Sequence, residues 1–353
     1  MESEKLYTDA VALLQSMIRT PSVSREEAGT ADIVETFLGG YGIETHRKLN
    51  NVWAYNKYYD PALPTILLNS HHDTVKPNAA YTRDPFSPDI EGDKLYGLGS
   101  NDAGASVVSL LAAFLYFYDR KGLKYNLCIA ITAEEEINGK NGLEAALPEL
   151  EKLDFAIVGE PTGMQLAIAE RGLMVLDCTA HGKSGHAARE EGENAIYKAI
   201  KDIEWFRDYR FPKVSELLGG VKMSITIINA GTQHNVVPAE CKFTVDVRVN
   251  DKYANEEVLG VIRENVSCDV EPRSTHLKSS AIDPAHPVVK AGVALGLTTY
   301  GSPTTSDQVR MKIPSVKMGP GDSARSHMAD EYVMLGEIRG GIELYVKILS
   351  SLL

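Results

Sequence analysis

The stretch Leu127–Glu136, LCIAITAEEE, constrains the fold most, because an apolar β-type run stops against three consecutive carboxylates. A short apolar run between polar residues fits a strand buried on both faces of a parallel sheet. In open α/β sheets, ligands bind beyond the carboxyl ends of such strands, so Glu135 and Glu136 are expected where ligands sit. Four other stretches repeat the pattern. Thr65–Leu68 runs into His71, His72 and Asp73, and Phe155–Val158 runs into Glu160. Asp102 closes a Gly-rich turn, YGLGSND, ahead of an apolar helix over 103–118, and a strand around Val316 leads into a Gly-Pro loop that carries His327. One acid after one strand is ordinary helix-start or solvation chemistry. Five clusters of His, Asp and Glu, each behind an apolar run, point to a shared site.

Between these stretches the chain alternates. Periodicity predicts a helix over Leu6–Arg19, and Ser24 three residues before Glu27 reads as a capping box for a second helix reaching Gly39 and Gly40. A strand pair over 42–57 and a helix over 141–152 continue the βα rhythm of a mostly parallel sheet with flanking helices. After Arg171 the order becomes β-α-β-β-α-β, a ferredoxin-like α+β unit that can be inserted whole. The α/β pattern resumes from Pro287 and ends in a helix over Leu335–Leu352. The expected organisation is an α/β domain over 1–171 and 284–353, interrupted by a second domain over 172–283.

Charge and composition narrow the function. The net charge of −12 over 353 residues, without a Lys/Arg-rich run, argues against nucleic acid and anionic membranes as partners. The start MESEKLYTDA lacks a basic region followed by an apolar stretch, and no apolar run reaches transmembrane length, so a cytoplasmic location is expected. Cys128, Cys178, Cys241 and Cys268 form no CxxC pair and read as reduced and buried.

Imidazole and carboxylate without thiolate suit a divalent transition ion, Zn²⁺ first, with Co²⁺ or Mn²⁺ possible. The number of donors implies two ions: His71, Asp102, Glu136, Glu160 and His327 supply the ligands of a dinuclear hydrolytic site, leaving Glu135 and Asp73 for other work.

HHD at 71–73, GLGSND at 97–102, TAEEE at 132–136, GEP at 159–161 and GPGDSARSHMADEYV at 319–333 together resemble the ordered motifs of the M20 metallopeptidase and deacylase family. The resemblance covers nearly the whole chain, since the inserted unit is similar to the family's lid and dimerisation domain. It implies that His71 and Glu160 hold one ion, that Glu136 and His327 hold the other, and that Asp102 bridges them. Asp73 would fix the His71 tautomer, and Glu135 would be the general base. GKSGHAA implies that His186 donates to the substrate oxyanion across a homodimer interface, and GTQHNVVPAE and DVRV imply that Asn235 and Arg248 lie near the substrate carboxylate. A cis peptide between Asp102 and Ala103 is also implied. The chain departs from the family where Ala103, Gly104 and Ala105 follow Asp102 and where Leu98 replaces a common Arg, which alters the pocket wall beside the bridge.

The implied activity is removal of an acetyl or succinyl group from the α-nitrogen of a small-molecule amino acid. The GPGD and HxxDEYV stretch resembles most the acetylornithine deacetylase branch, which favours N-acyl-L-ornithine and arginine biosynthesis. Succinyl-diaminopimelate desuccinylase and small peptidase activities are the alternatives within the fold. A non-catalytic ligand-binding dimer is the alternative of another class, and the presence of Glu135 speaks against it.

Overall fold

The apolar runs lie side by side. In the computed structural model, which describes residues 3–189 and 191–353, one compact unit comprises Met1–Ile168, Ile282–Tyr300 and Ser306–Leu353, and a second comprises Ala169–Ala281 and Gly301–Thr305.

The first unit is built on a mixed sheet with a parallel centre. Its strands β1 (His46–Lys48), β2 (Asn51–Tyr55), β3 (Thr65–His71), β4 (Asn126–Thr132) and β5 (Phe155–Val158) run in the order β1-β2-β4-β3-β5 and continue into Ser315–Lys317. β4, β3, β5 and Ser315–Lys317 are mutually parallel, whereas β1 and β2 add an antiparallel edge. Every residue of β3, β4 and β5 is buried, which is why these segments read as unbroken apolar runs rather than alternating ones. The register pairs His71 with Thr132 and Asn69 with Val158, so the main chain at 71, 132 and 160 emerges at one level of the sheet.

Helix α3 (Ala105–Phe117) is buried on nearly all sides, packed by β3, by α1 (Ser3–Ile18) and by the C-terminal helix Leu335–Leu352. Leu14, Leu110, Phe114, Ile338 and Tyr345 form the centre of this core. The sheet thereby carries α3 rigidly, and α3 in turn carries the Asp102 turn at its start.

Two expected elements differ. The second helix, α2 (Ala28–Gly40), has no capping box: Glu27 makes no cap bond, and the Ser24 hydroxyl donates instead to Asp73 Oδ2 at 2.7 Å. Ser24 is recruited by a buried anion that needs donors. The helix expected over 141–152 is reduced to one turn, Leu143–Ala146, followed by a 3₁₀ turn at Leu147–Glu149, because Pro148 lacks the N–H that would extend the α-helical ladder.

The second unit follows the order β6 (Gly172–His181), α4 (Ala195–Asp208), β7 (Lys222–Ala230), β8 (Glu240–Val249), α5 (Asn255–Asn265) and β9 (Asp269–Pro272). Its sheet is antiparallel in the order β7-β8-β6-β9, the ferredoxin-like arrangement. Met174, Leu176, Phe206, Phe243, Val258 and Ile262 close its core. The segment Gly301–Thr305 belongs to this unit, with the Thr305 hydroxyl accepting from Arg248 Nη1 at 3.0 Å. Among the described residues no helix is long and apolar enough to cross a membrane, and the four cysteines are free and buried.

Candidate metal centre

His71 is the last residue of β3 and is fully enclosed. Its Nδ1 lies 3.0 Å from the Asp73 carbonyl oxygen and 3.4 Å from Asp73 Oδ1, so the proton sits on Nδ1. The Nε2 lone pair is thereby turned toward Asp102 Oδ1 at 3.3 Å, Glu160 Oε1 at 3.7 Å and Glu135 Oε2 at 3.8 Å. The Asp73 carboxylate does more than fix a tautomer. It accepts the backbone N–H groups of Glu135 at 3.0 Å and Glu136 at 3.2 Å and thus holds the turn after β4 in place.

Asp102 reaches the cluster from the turn Ser100–Gly104, where a π-type turn breaks at Asp102 and the Asp102–Ala103 peptide is cis, as the resemblance implies. Its other oxygen, Oδ2, lies 3.7 Å from His327 Nε2, which is 2.9 Å from Glu136 Oε2. Asp102 therefore turns one oxygen toward His71 and the other toward His327. His71, Asp102, Glu135, Glu136, Glu160 and His327 all converge, and two overlapping triads within them, His71/Asp102/Glu136 and His71/Glu135/Glu160, bring donor atoms within 4.8 Å of one another.

Two neighbours in the same motifs turn away. His72 Nε2 donates to the Asn50 carbonyl at 2.8 Å and its Nδ1 lies 2.7 Å from Thr30 Oγ1, so both ring nitrogens are occupied and burial keeps its pKa below the ordinary value. Glu134 takes a left-handed φ of 53° and accepts from Asn141 Nδ2 at 2.9 Å, closing the loop behind the site.

The electrostatics describe a cluster short of positive charge. Burial, joined by the charges of Glu160 and Glu136 against the pull of His71, raises Glu135 well above the usual carboxylate range. Burial likewise pushes Glu160 up to about 8, with Asp102 adding and His71 opposing. Burial would lower His71, yet the hydrogen bonds of Asp102 and Asp73 and the charges around it raise it well above its ordinary value. His327 is lifted to about 9, first by its hydrogen bond to Glu136. Asp102 is pushed up by burial but pulled below its ordinary value by His71. Acceptor atoms face acceptor atoms here, an arrangement that a cation between them would relieve. The donor set of imidazole nitrogen and carboxylate oxygen fits divalent transition ions.

The remaining expected residues lie in the second unit. His186 is exposed on the short strand Gly185–His186, its Nδ1 accepting from Ala188 N at 3.1 Å. Asn235 is its neighbour, its carbonyl accepting from Ala187 N at 3.0 Å. Arg248 on β8 is half-buried and forms a fork with Asp246 at 2.8 and 2.9 Å.

Sequence reasoning missed two acids. Glu331 accepts three backbone amides from the Asp102 turn. Asp307 is buried, accepts from Thr132 Oγ1 at 2.8 Å and is pushed by burial up to about 6. Neither follows an apolar strand at the expected offset. The only signal was Glu331's place in the DEYV end of the His327 stretch.

Glycine 319 governs the position of Glu160. A Cβ there would stand 2.2 Å from Ser106 Oγ and 2.6 Å from the Glu160 carbonyl oxygen, so only a bare backbone fits between α3 and the end of β5.

Comparison with known proteins gives a consistent picture. Residues 67–351 match the family model described as peptidase family M20/M25/M40. A succinyl-diaminopimelate desuccinylase of Cereibacter sphaeroides is 28% identical over 384 residues, covering 97% of this chain and 98% of that protein. Among solved structures, an M20 family metallo-carboxypeptidase from Sulfolobus solfataricus superposes with a TM-score of 0.78 at 17% identity, covering 96% of this chain and 98% of its own. A dinuclear metal binding peptidase from the M20 family of Bacillus subtilis does so with a TM-score of 0.75 at 17% identity, covering 99% and 98%.

Gly319→Ala is expected to push the end of β5 away, lowering stability by about 1–3 kcal/mol and weakening Zn²⁺ binding through Glu160. Thermal melting and a Zn²⁺ titration check this; a variant with wild-type values in both would show that the contact can relax.

Proposed function

We propose, given that the chain belongs to peptidase family M20/M25/M40, that it is a dinuclear metal-dependent amidohydrolase releasing an acyl group from the nitrogen of an amino acid. That it hydrolyses amide bonds with the aid of metal follows from the family. The observation that carries the finer reading is the two-sided placement of Asp102, with His71 at one of its oxygens and His327 at the other. On this reading His71 and Glu160 would hold one ion, Glu136 and His327 the other, and Asp102 would serve both. When bound, such ions polarise the scissile carbonyl and raise the acidity of a water molecule. Zn²⁺ suits the donors best, with Co²⁺ as a substitute.

The chain's own groups supply the proton traffic. Glu135 is within reach of His71 and is fixed through its backbone by Asp73, which sets its carboxylate where it would take a proton from water and return it to the leaving nitrogen. His186 would donate to the developing oxyanion, and Arg248, with Asn235, would meet the substrate carboxylate, for which a planar guanidinium fork is well shaped.

For the acyl group, the relatives named succinyl-diaminopimelate desuccinylase favour an N-succinyl amino acid. N-acetyl- or N-succinyl-L-ornithine rests on the GPGD and HxxDEYV stretch alone, and the arginine-biosynthetic reading draws no support from the relatives. The two readings separate on a panel of N-acetyl and N-succinyl derivatives of ornithine and diaminopimelate: the preferred substrate should exceed the others in kcat/KM by tenfold or more, about 1.4 kcal/mol of discrimination.

The second unit presents a surface suited to a second copy of the chain. β7 is an edge strand whose residues are all exposed or half-buried, with Ile227 and Ile228 more than half exposed, and Tyr197 and Ile200 of α4 are exposed in the same unit. Pairing of the inserted domains there would make a symmetric dimer in which each His186 serves the partner's site.

Glu135→Gln should keep both ions and lose about 10²- to 10⁴-fold in kcat, as measured by metal analysis beside kinetics. Near-normal turnover would remove Glu135 from the mechanism. Ile228→Lys should give a monomer by sedimentation that retains its metals but loses about 10²- to 10³-fold in kcat with the partner's oxyanion donor. A fully active monomer would place His186 in its own chain's chemistry or outside it.

A further inference from the structure

Of the two buried acids that the site as read leaves without a role, Glu331 and Asp307, the first touches the Asp102 turn directly. Glu331 stands four residues after His327 and is only 2% exposed. Its Oε1 accepts the backbone N–H groups of Asn101 at 2.8 Å and Asp102 at 2.9 Å, and its Oε2 accepts that of Gly99 at 3.1 Å. Its own carbonyl accepts from Gly97 N at 2.9 Å. From the other side, the Asn101 side chain donates to the Asp322 carbonyl at 3.1 Å and accepts from Asp322 N at 3.0 Å. The Asp102 turn is thus clasped between two points of the loop that carries His327, although more than 220 residues of chain separate them.

A buried carboxylate gathering three amides can be no more than a loop staple. Here one of the amides is Asp102's own, and the anchor shares a short segment with His327, whose φ of 62° already makes its placement specific. What the clasp fixes is therefore the separation between Asp102 Oδ2 and His327 Nε2, 3.7 Å. We propose that Glu331 is a positioning residue that sets Asp102 against His327 and thereby the affinity of the His327/Glu136 side of the centre for its ion. This rests on the reading that the cluster holds two ions. A carboxylate suits the task because it presents two acceptor oxygens to three N–H groups. Glutamine in its place keeps one oxygen for Asn101 and Asp102 but turns an NH₂ toward the Gly99 N–H, donor against donor.

The experiment compares wild type, Glu331→Gln and Glu331→Ala. Zn²⁺ affinities are measured by competition with a chromophoric chelator, Co²⁺ absorption reports the geometry of each site, and melting of the metal-free proteins reports the fold. Groups that orient ligands typically contribute about 10- to 100-fold in metal affinity. Glu331→Gln should weaken one of the two ions by about tenfold and Glu331→Ala by about 100-fold, with the Co²⁺ spectrum of the other ion retained and metal-free Glu331→Gln melting near wild type. If Glu331→Gln binds both ions as wild type does, or if both ions weaken together in step with a lower melting temperature, Glu331 is a staple only and the proposal falls. Should Glu331→Ala not fold, Glu331→Gln carries the comparison alone. A wild-type protein that binds no Zn²⁺ would instead overturn the reading of the site, and the proposal with it.

Discussion

Crowded like charge is the condition to which the first unit is built. Asp102, Glu135, Glu136 and Glu160 surround His71, and each is largely buried. Two like unit charges 4 Å apart repel by about 4 kcal/mol at the effective dielectric typical of protein sites. Left to side-chain preference, such a group would splay apart. It stays together because the main chain delivers it: parallel strands in fixed register bring 71, 132 and 160 to one level, and the helix behind them cannot move without opening the core.

The turns between those strands need separate restraint, and two other buried acids provide it. Asp73 accepts the amides of Glu135 and Glu136, and Glu331 accepts those of Gly99, Asn101 and Asp102. A neutral amide oxygen could take some of these bonds without adding to the repulsion. Using carboxylates makes physical sense where the cavity is meant to hold positive charge, because each anion behind a ligand favours the cation in front of it.

The sequence showed the strand ends because apolar runs and the residues behind them obey a fixed offset. His71, Glu136 and Glu160 follow from that offset, and so does the parallel centre of the sheet. It could not sort neighbours within a turn. His72 and Glu134 stand beside His71 and Glu135 in identical chemical dress, yet the pleat turns His72 into the protein, and a left-handed φ turns Glu134 behind the loop. The Ser24–Glu27 pattern misled for a related reason: a hydroxyl that could cap a helix was taken by a stronger acceptor, Asp73, 49 residues away in the chain. Asp307 was invisible and Glu331 was marked only by the DEYV end of the His327 stretch, because their partners are a threonine hydroxyl and main-chain amides brought near only by the fold.

The same contrast separates the two groups of expected site residues. His71, Glu136 and Glu160 lie at or just beyond the ends of buried strands, whose hydrophobic pattern is legible, whereas His186 and Asn235 lie on exposed short strands and turns with no periodic signal. The β7 edge joins these two levels. Natural edge strands are protected by charge, proline, bulges or cover. β7 carries a bulge at Ile225–Ile227 but leaves Ile227 and Ile228 exposed beside an open ladder. An apolar edge that stays exposed despite its bulge is a liability in a monomer and an asset in an assembly.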